Sequence, residues 1–261
     1  MTKMNAQPNQ AAGTKSGTGL ALTCGHGTDR GHRRALNEDA YLAREPVFAV
    51  ADGMGGHEAG EVASRLCVQE LAAIPQIDTG ERSLTAAALQ SHLLRADEAI
   101  RGATGSRAGT TLSGAALVEQ AGLSYWLVMN VGDSRTYRFS HGRLEQLTAD
   151  HSLVQELVDD GEISAEEATS HPQRHVVTRA LGTGEDNEAD FWLVPAEAGD
   201  RVLVCSDGLT GELADSAIAR ILQTVGDPQD AAAELIQAAL DHGGRDNVTV
   251  IVVDAGVAAA P

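Results

Sequence analysis

The chain has 261 residues, of which 43% are hydrophobic and only 3% aromatic, so it can bury a sizeable core of aliphatic side chains. Its formal net charge of −18 argues against nucleic acid and anionic membranes as direct partners. Three widely spaced cysteines without a CxxC pair, and the lack of an apolar run long enough to span a bilayer, predict a cytoplasmic protein with unpaired thiols.

The first part of the chain predicts three strands followed by two helices. Residues 1–18 are rich in Gly, Thr, Asn and Gln and predict a flexible tail. A basic loop over Thr28–Asn37 separates the first two strands. Apolar residues at helical spacing predict two helices that pack side by side. The predicted strands are Leu20–Gly25, Glu38–Leu42 and Pro46–Asp52, and the predicted helices are Glu58–Ile74 and Ser83–Arg101.

Strands dominate the middle of the chain, and a second pair of helices precedes the last strand. The links between the strands are short and contain Gly or polar residues, as in hairpins. The predicted strands are Thr110–Val118, Leu123–Val131, Arg135–Phe139, Leu144–Leu147, Phe191–Val194, Val202–Cys205 and Val248–Val253, and the helices are Asp215–Thr224 and Asp230–His242. This pattern favours an α+β fold of antiparallel sheets with helices packed outside.

Two segments interrupt this pattern. The acidic segment His151–Glu167 has helical character without a strong apolar stripe, and predicts a small mobile excursion that ends near Pro172. Val176–Leu181 is then expected to return to the core. The Ala-rich end after Asp254 predicts a frayed tail. We therefore expect one domain over residues 19–255 between tails at 1–18 and 256–261.

The most informative stretch is an apolar run that ends in Asp52. The run reads as a buried strand, and three glycines follow the acid within four residues. Glycines allow the backbone to turn and to approach another group closely. A carboxylate at the mouth of a buried strand is costly unless it is paired or holds a cation. Asp52 is therefore predicted to hold a metal.

Three more acids repeat this arrangement. Asp207 and Asp133 each follow an apolar strand, and Asp246 directly precedes the last one. One Asp at a strand end is most often only a turn residue, but several in one chain make that interpretation much weaker. Oxygen ligands suit a hard cation, and the absence of His and Cys from these motifs disfavours zinc.

The basic loop supplies the opposite charge. Arg30, Arg33 and Arg34 lie close together in an otherwise acidic chain. An arginine beside a metal centre is suited to binding a phosphate group through its two-pronged guanidinium. Arg33 is interpreted as a surface charge.

Taken together and in this order, the motifs resemble the metal-dependent protein phosphatases of type 2C (PPM family), in particular the bacterial Ser/Thr members. Each motif alone is weak, whereas the ordered set over residues 20–254 is specific. The motifs are Thr28-Asp29 with Gly31 and Arg34, Asn37-Glu38-Asp39, Asp52-Gly53-Met54-Gly55-Gly56-His57, Gly60-Glu61, Gly109-Thr110-Thr111, Gly132-Asp133-Ser134-Arg135, Arg179-Ala180-Leu181-Gly182, Ser206-Asp207-Gly208 and Asp246-Asn247-Val248-Thr249.

The resemblance implies a four-layer α-β-β-α sandwich, two antiparallel sheets flanked by helix pairs, with a variable flap at about residues 150–172. It also implies a metal site for two Mn²⁺ or Mg²⁺ ions. Asp52 would bridge the two ions, Asp207 and Asp246 would complete the first site, and Glu38 and the Gly53 carbonyl would serve the second.

Further roles come from the same resemblance. Asp133, with Asp207 shared, would hold a looser third ion, Asp39 would act from just outside the ligands, and Arg34 would bind the substrate phosphate. Eukaryotic members have a His directly after the Asp-Gly pair, whereas Met54 stands at that position here, as in bacterial relatives. His57, three residues further on, is either the general acid or a capping side chain at a helix start.

The implied reaction is hydrolysis of phosphoserine and phosphothreonine in proteins by a hydroxide that bridges the two metals. The implied partners are phosphoprotein substrates and, by analogy, a bacterial Ser/Thr kinase, with the chain acting as a monomer. Two alternatives stay open: a non-catalytic pseudophosphatase that only binds phosphoproteins, and a two-metal hydrolase for other phosphoesters. The remaining histidines are interpreted as surface or structural, although His151 could contact substrate.

Overall fold

The computed structural model describes residues 19–55, 59–75, 82–184 and 187–258, so the predicted tail at 1–18 lies outside the described residues. The described residues form eleven strands and seven helices. The strands are β1 Leu20–Asp29, β2 Asp39–Arg44, β3 Val47–Gly55, β4 Ala108–Thr110, β5 Leu112–Gln120, β6 Leu123–Val131, β7 Arg135–Ser140, β8 Arg143–Gln146, β9 Asp190–Pro195, β10 Arg201–Cys205 and β11 Val248–Val257. The helices are α1 Ala59–Ala72, α2 Ala86–Thr104, α3 Leu153–Asp159, α4 Ala165–Ser170, α5 Asp207–Thr210, α6 Asp215–Thr224 and α7 Pro228–Asp241.

The strands form two antiparallel sheets. One has the order β1-β11-β10-β7-β8, and the other has the order β2-β3-β5-β6-β9, with β4 paired to the end of β3. Hairpins connect β5 to β6 and β7 to β8. The strand β11, last in the chain, lies between β1 and β10, so the two ends of the described chain meet in one sheet.

The central strands bury side chains on both faces, because helices cover one face of each sheet and the second sheet covers the other. In β3, Val47, Ala49 and Ala51 pack towards α1 and α2, whereas Phe48 and Val50 pack towards the other sheet. The same alternation in β10 and β11 divides their side chains between the α6–α7 layer and the space between the sheets. The layers therefore run helices, sheet, sheet, helices, and the predicted α+β four-layer sandwich is confirmed.

The long helices begin and end on recognisable signals. Thr85 caps α2 by accepting a hydrogen bond from the Ala88 N–H, and Gly105 ends the helix in the left-handed conformation. Helix α7 begins at Pro228, after Asp227 accepts from two backbone N–H groups of the first turn. That Asp-Pro pair places the helix start two residues before the predicted Asp230.

The first and last strands are longer than predicted. Strand β1 continues through Gly25 to Asp29, and β11 continues past Asp254 to Val257. The reason is mutual pairing: the two strands are in register over their whole length, from Leu20 opposite Val257 to Asp29 opposite Val248. The predicted end after Asp254 is thus held by hydrogen bonds as far as Val257.

The segment between β8 and β9 contains α3 and α4, as the helical character of the predicted flap suggests. Ser152 caps α3, and Ser164 with Glu167 forms a reciprocal capping box on α4. The expected return to the core is only partial, because Leu181 is fully buried whereas Val176 is 43% exposed. Among the described residues, no helix is long and apolar enough to cross a membrane.

Candidate metal centre

Asp52 lies inside β3 rather than at its end. The strand continues to Gly55 because Gly53 to Gly55 change partner and pair with β4 instead of β5. The Asp52 N–H donates to Thr111 Oγ1 (3.1 Å), and its carbonyl accepts from the Thr111 N–H (2.9 Å). These two bonds fix the backbone from which the carboxylate projects.

Sheet topology brings the other acids to the same place. The end of β10 lies beside the start of β11 and the start of β7, so Asp207, Asp246 and Asp133 meet at one sheet edge. The facing sheet adds Asp52. These four carboxylates line a single cavity of about 600 Å³. Seven of the nine predicted site residues line it: Arg34, Glu38, Asp52, Gly53, Asp133, Asp207 and Asp246.

Asp39 lies beneath this cavity rather than on its wall. It is opposite Asp52 across the β2–β3 pair. Its Oδ2 accepts hydrogen bonds from Ser206 Oγ (2.9 Å) and Thr249 Oγ1 (2.7 Å), while Oδ1 is buried with no hydrogen-bond partner among the described residues. Asp39 therefore ties β2 to β11 and to Ser206, the residue before Asp207.

Asn247 holds the basic loop in position. Its Oδ1 accepts from the Glu38 N–H (2.8 Å), and its Nδ2 donates to the carbonyls of Arg30 and Leu36, each at 2.9 Å. The loop between β1 and β2 is thereby anchored to the start of β11. This anchoring explains why Arg34 and Glu38 face the same cavity as residues more than 160 positions away.

Gly53 must be glycine for reasons of space. A Cβ at this position would lie 2.1 Å from the Gly60 carbonyl oxygen and 2.6 Å from the Glu38 carbonyl oxygen. The Gly53 N–H also donates to that Glu38 oxygen at 3.2 Å. The first turn of α1 can therefore pack against the cavity wall only because both Gly53 and Gly60 lack a side chain.

The carboxylates repel one another. Burial, then repulsion from Asp39 and Asp207, raises the pKa of Asp52 well above its usual range. Burial, then Asp246, raises the pKa of Asp207. Burial is also the main cause that raises the pKa of Asp39 to about 7 and that of Asp133 to about 8. Such a cluster is stabilised by any cation that binds among its members.

The donor set fits hard divalent cations. Oxygen donors predominate on the cavity wall, and Asp207 Oδ1 is buried without a hydrogen-bond partner in the described part of the chain. In the described ranges, no three His, Cys, Asp or Glu side chains lie close enough together to hold a metal ion by themselves. The groups that would hold the ions are all oxygen donors, as Mg²⁺ and Mn²⁺ prefer: the carboxylates of Glu38, Asp52, Asp133, Asp207 and Asp246, and the Gly53 carbonyl.

Arg34 lies at the cavity mouth. Its Nη2 donates to Asp246 Oδ2 at 2.6 Å, and half of its side chain (51%) is exposed. The hydrogen bond to Asp246 is the main cause that raises the pKa of the guanidinium. Arg34 is therefore charged and held beside the acids, with part of its donor surface directed to solvent.

Several residues of the cavity are absent from the sequence prediction. Arg174 and His175 come from the segment that follows the predicted flap, whereas Glu212 follows α5 and Arg245 follows α7. Arg245 binds Glu212 with two hydrogen bonds, at 2.9 and 2.7 Å. No local pattern marks these residues, because their approach depends on how distant elements pack together. The predicted His57 lies outside the described residues.

Comparison with known proteins agrees with this geometry. The family model for protein phosphatase 2C matches residues 26–241. The serine/threonine protein phosphatase PstP of Mycobacterium tuberculosis is 42% identical over 90% of this chain, which spans only 45% of the length of that relative. The serine/threonine phosphatase stp of Listeria innocua is 37% identical over 87% of this chain and 93% of its own.

A solved structure shows the same architecture with metal. The catalytic domain of PstP in complex with two manganese ions superposes with a TM-score of 0.81 at 39% identity, covering 91% of this chain and all of that one. The fold is thus shared with a phosphatase catalytic domain whose solved structure holds two manganese ions. The chain belongs to the protein phosphatase 2C family.

Proposed function

We propose that this protein is a Mn²⁺- or Mg²⁺-dependent phosphatase that hydrolyses phosphoserine and phosphothreonine in proteins. The observation that carries the proposal is the single cavity in which Asp52, Asp133, Asp207 and Asp246 meet beside Arg34. The relatives named above are serine/threonine phosphatases, and one of the solved domains holds two manganese ions.

The proposed ligands are Glu38, the Gly53 carbonyl, Asp52, Asp133, Asp207 and Asp246. When bound, a pair of divalent cations lowers the pKa of a shared water so that it can act as a nucleophile near neutral pH. Asp52, which lies opposite Asp39 across the β2–β3 pair and lines the cavity, would be the ligand that the two ions share. Asp39 keeps the surrounding hydroxyls of Ser206 and Thr249 oriented towards itself.

Arg34 then contributes by charge and shape. Its exposed donors can bind two oxygens of a phosphate monoester and stabilise the negative charge that spreads over them in the transition state. No cysteine lines the cavity among the described residues, which agrees with direct attack by water rather than a covalent phosphocysteine. His57 as general acid stays a prediction.

The first experiment measures turnover of p-nitrophenyl phosphate and of a phosphothreonine peptide by the purified chain. We expect activity with Mn²⁺, none in excess chelator, and a loss of at least about a hundredfold in Asp52→Asn and Asp207→Asn, because each removes a charged ligand. Asp241→Asn, an exposed acid at the end of α7, is the matched control and should behave like the wild type. Full activity in chelator would reject the proposal.

The same assay separates the alternatives. Binding of the phosphopeptide without turnover at saturating Mn²⁺ would indicate a pseudophosphatase. That reading is weakened here because no predicted carboxylate ligand is replaced. Faster turnover of nucleotides or small phosphate esters than of phosphopeptides would indicate a different phosphoesterase.

The setting belongs to the same proposal. We propose that the enzyme is cytoplasmic and reverses phosphorylation by a bacterial Ser/Thr kinase. It would act as a monomer with one catalytic domain over residues 19–255. All three cysteines are unpaired, which supports a reducing compartment. Phosphoproteomics of a deletion strain would identify the substrates, and size-exclusion chromatography with light scattering would test the monomer.

A further inference from the structure

The turn that carries Asp133 is held from both sides by one dipeptide. The turn, Gly132 to Ser134, connects β6 to β7, and the dipeptide Asp150-His151 lies at the start of the segment containing α3 and α4. Gly132 has φ +98°, and a Cβ there would lie 2.6 Å from the Thr111 side chain. The chain therefore adopts a left-handed conformation just before Asp133 that favours glycine, and the Gly132 carbonyl also accepts from Asn130 Nδ2 at 2.9 Å.

His151 supplies the contacts on one side. Its backbone N–H donates to the Gly132 carbonyl (2.9 Å), and its Nδ1 accepts from the Gly132 N–H (3.0 Å). Because an amide N–H can only donate, Nδ1 is unprotonated and the ring proton is on Nε2. The imidazole is 9% exposed, so this bond is shielded from water.

Asp190 orients the other edge of the ring. The Nε2–H of His151 donates to Asp190 Oδ2 at 3.2 Å. Arg179 Nη1, which is 3.3 Å from His151 Nε2, donates to Asp190 Oδ1 at 3.2 Å and thereby fixes the carboxylate. The Asp190 carboxylate, which Arg179 holds through Oδ1, is thus the acceptor that favours a ring proton on Nε2 and leaves Nδ1 free to accept from Gly132.

Asp150 supplies the contact on the other side of the turn. It binds Arg135 with both oxygens, at 2.9 and 2.7 Å, and Arg135 is two residues after Asp133. His151 and Asp150 therefore bind Gly132 and Arg135, which lie before and after Asp133 in the chain. The chain that follows α4 is bound to the same dipeptide, because the Thr178 N–H donates to the His151 carbonyl (2.9 Å).

We propose that His151 is a positioning residue that acts through Gly132: its Nδ1 holds the turn so that the Asp133 carboxylate points into the metal cavity. The inference rests on the proposed function, since it gives Asp133 a metal to bind. It replaces the earlier interpretation of His151 as a possible substrate contact, because the buried ring is fully engaged by Gly132 and Asp190.

Two substitutions separate the two ring nitrogens. The Oδ1 of Asn stands near the position of the imidazole Nδ1, so His151→Asn keeps an acceptor for Gly132 and loses the contact with Asp190. The amide of Gln reaches the position of Nε2, so His151→Gln keeps the contact with Asp190 and loses the acceptor. Ile221→Val removes one methyl group from the α6–α7 core and controls for general destabilisation.

Three measurements are made on each variant. Exchange of the Gly132 amide proton, followed by NMR without metal, reports the bond itself. Free Mn²⁺, measured by its EPR signal during titration, reports affinity independently of activity. Turnover of p-nitrophenyl phosphate against Mn²⁺ concentration reports the functional consequence.

We expect His151→Asn to keep a slowly exchanging Gly132 amide and the affinity of every Mn²⁺ ion within about threefold. We expect His151→Gln to expose that amide and to weaken the most loosely bound ion by about tenfold or more, as is typical when the partner of a metal ligand is lost. Ile221→Val should match the wild type in both readouts.

Equal behaviour of the Asn and Gln variants, or loss of Gly132 protection in the Asn variant, would overturn the proposal. Should the Gln variant not fold, the Asn variant decides alone, since retention of both readouts is then required. A wild-type chain that lacks Mn²⁺-dependent turnover would refute the proposed function, yet the exchange and EPR measurements would still judge the role of His151.

Discussion

Arg34 is bound to an acid of the cavity and is also open to solvent. It pairs with Asp246 and leaves half of its side chain open to the cavity mouth. We expect Arg34→Ala to raise KM for a phosphopeptide about tenfold or more, because a charge-assisted hydrogen bond to phosphate contributes about 1.5–3 kcal/mol. Initial rates over a range of substrate concentrations measure this effect.

Arg33 is the matched control for that experiment. It is exposed, and no hydrogen bond or ion pair of its side chain is found among the described residues. Arg33→Ala should leave KM unchanged. An equal rise in both variants would show that loop charge in general, rather than the Arg34 guanidinium, attracts the substrate.

The cysteines differ in reactivity for a physical reason. Burial raises the pKa of Cys67 and of Cys205 to about 12, and both are fully inaccessible. Cys24 is only partly buried. We expect iodoacetamide to label native protein slowly at Cys24 and not at the other two, and to label all three in urea. Mass spectrometry of timed samples checks this; fast labelling of Cys67 would contradict the packing of α1 on β3.

At the scale of elements, glycines show where the sequence misleads. Gly25 is the last residue of the predicted first strand, yet β1 runs through it to Asp29. The residue faces α7, where a Cβ would lie 2.2 Å from the Gln229 backbone. The glycine marks the crossing of a helix rather than the end of a strand.

This crossing predicts opposite effects for two Gly→Ala substitutions. Gly25→Ala forces α7 away from β1 and should destabilise the fold by about 1–3 kcal/mol, as overpacking does. Gly102→Ala lies in the interior of α2, where a Cβ would meet nothing within 4 Å, and should stabilise by about 0.5–1 kcal/mol. Urea unfolding followed by circular dichroism compares them; a destabilised Gly102→Ala would contradict the helix assignment.

Much of the fold could be predicted from periodicity alone. Strand Leu123–Val131 and helix Asp215–Thr224 coincide with their predicted bounds, since their apolar patterns end at clear polar signals. The four acids that the sequence singles out, Asp52, Asp133, Asp207 and Asp246, line one cavity, whereas their role as metal ligands stays a prediction. What could not be predicted depends on tertiary contacts: the pairing of β3 with β4 beyond Asp52, and the approach of His175 and Arg245 to the cavity.

At the scale of the whole molecule, the site works against the stability of the fold. Burial and mutual repulsion raise the pKa of several carboxyls in one cavity, so ionising them costs free energy that bound cations return. We expect saturating Mn²⁺ to raise the melting temperature of chelator-treated protein by several degrees, since about 1 kcal/mol shifts a domain of this size by roughly 2–4 °C. Scanning calorimetry measures this shift.

The Asp52→Asn substitution should affect the melting temperature differently without metal and with metal. Without metal, the variant lacks one of the repelling charges and should melt higher than the wild type, although it loses activity. With Mn²⁺, its melting temperature should rise less than that of the wild type. A metal-free variant that melts lower would show that the Asp52 carboxyl makes a net stabilising contact.

The pairing of β1 with β11 also determines how the molecule would unfold under a pulling force. Residues 19 and 258 lie together at one end of this pair, where the Ala258 N–H donates to the Gly19 carbonyl. A load pulling these two points apart would break the rungs one after another from Leu20–Val257 onward, instead of shearing them all at once. In optical tweezers, β1 should separate from β11 at low force. The separation would proceed towards Asp246, and the region of Asp246 would be the last to be disrupted.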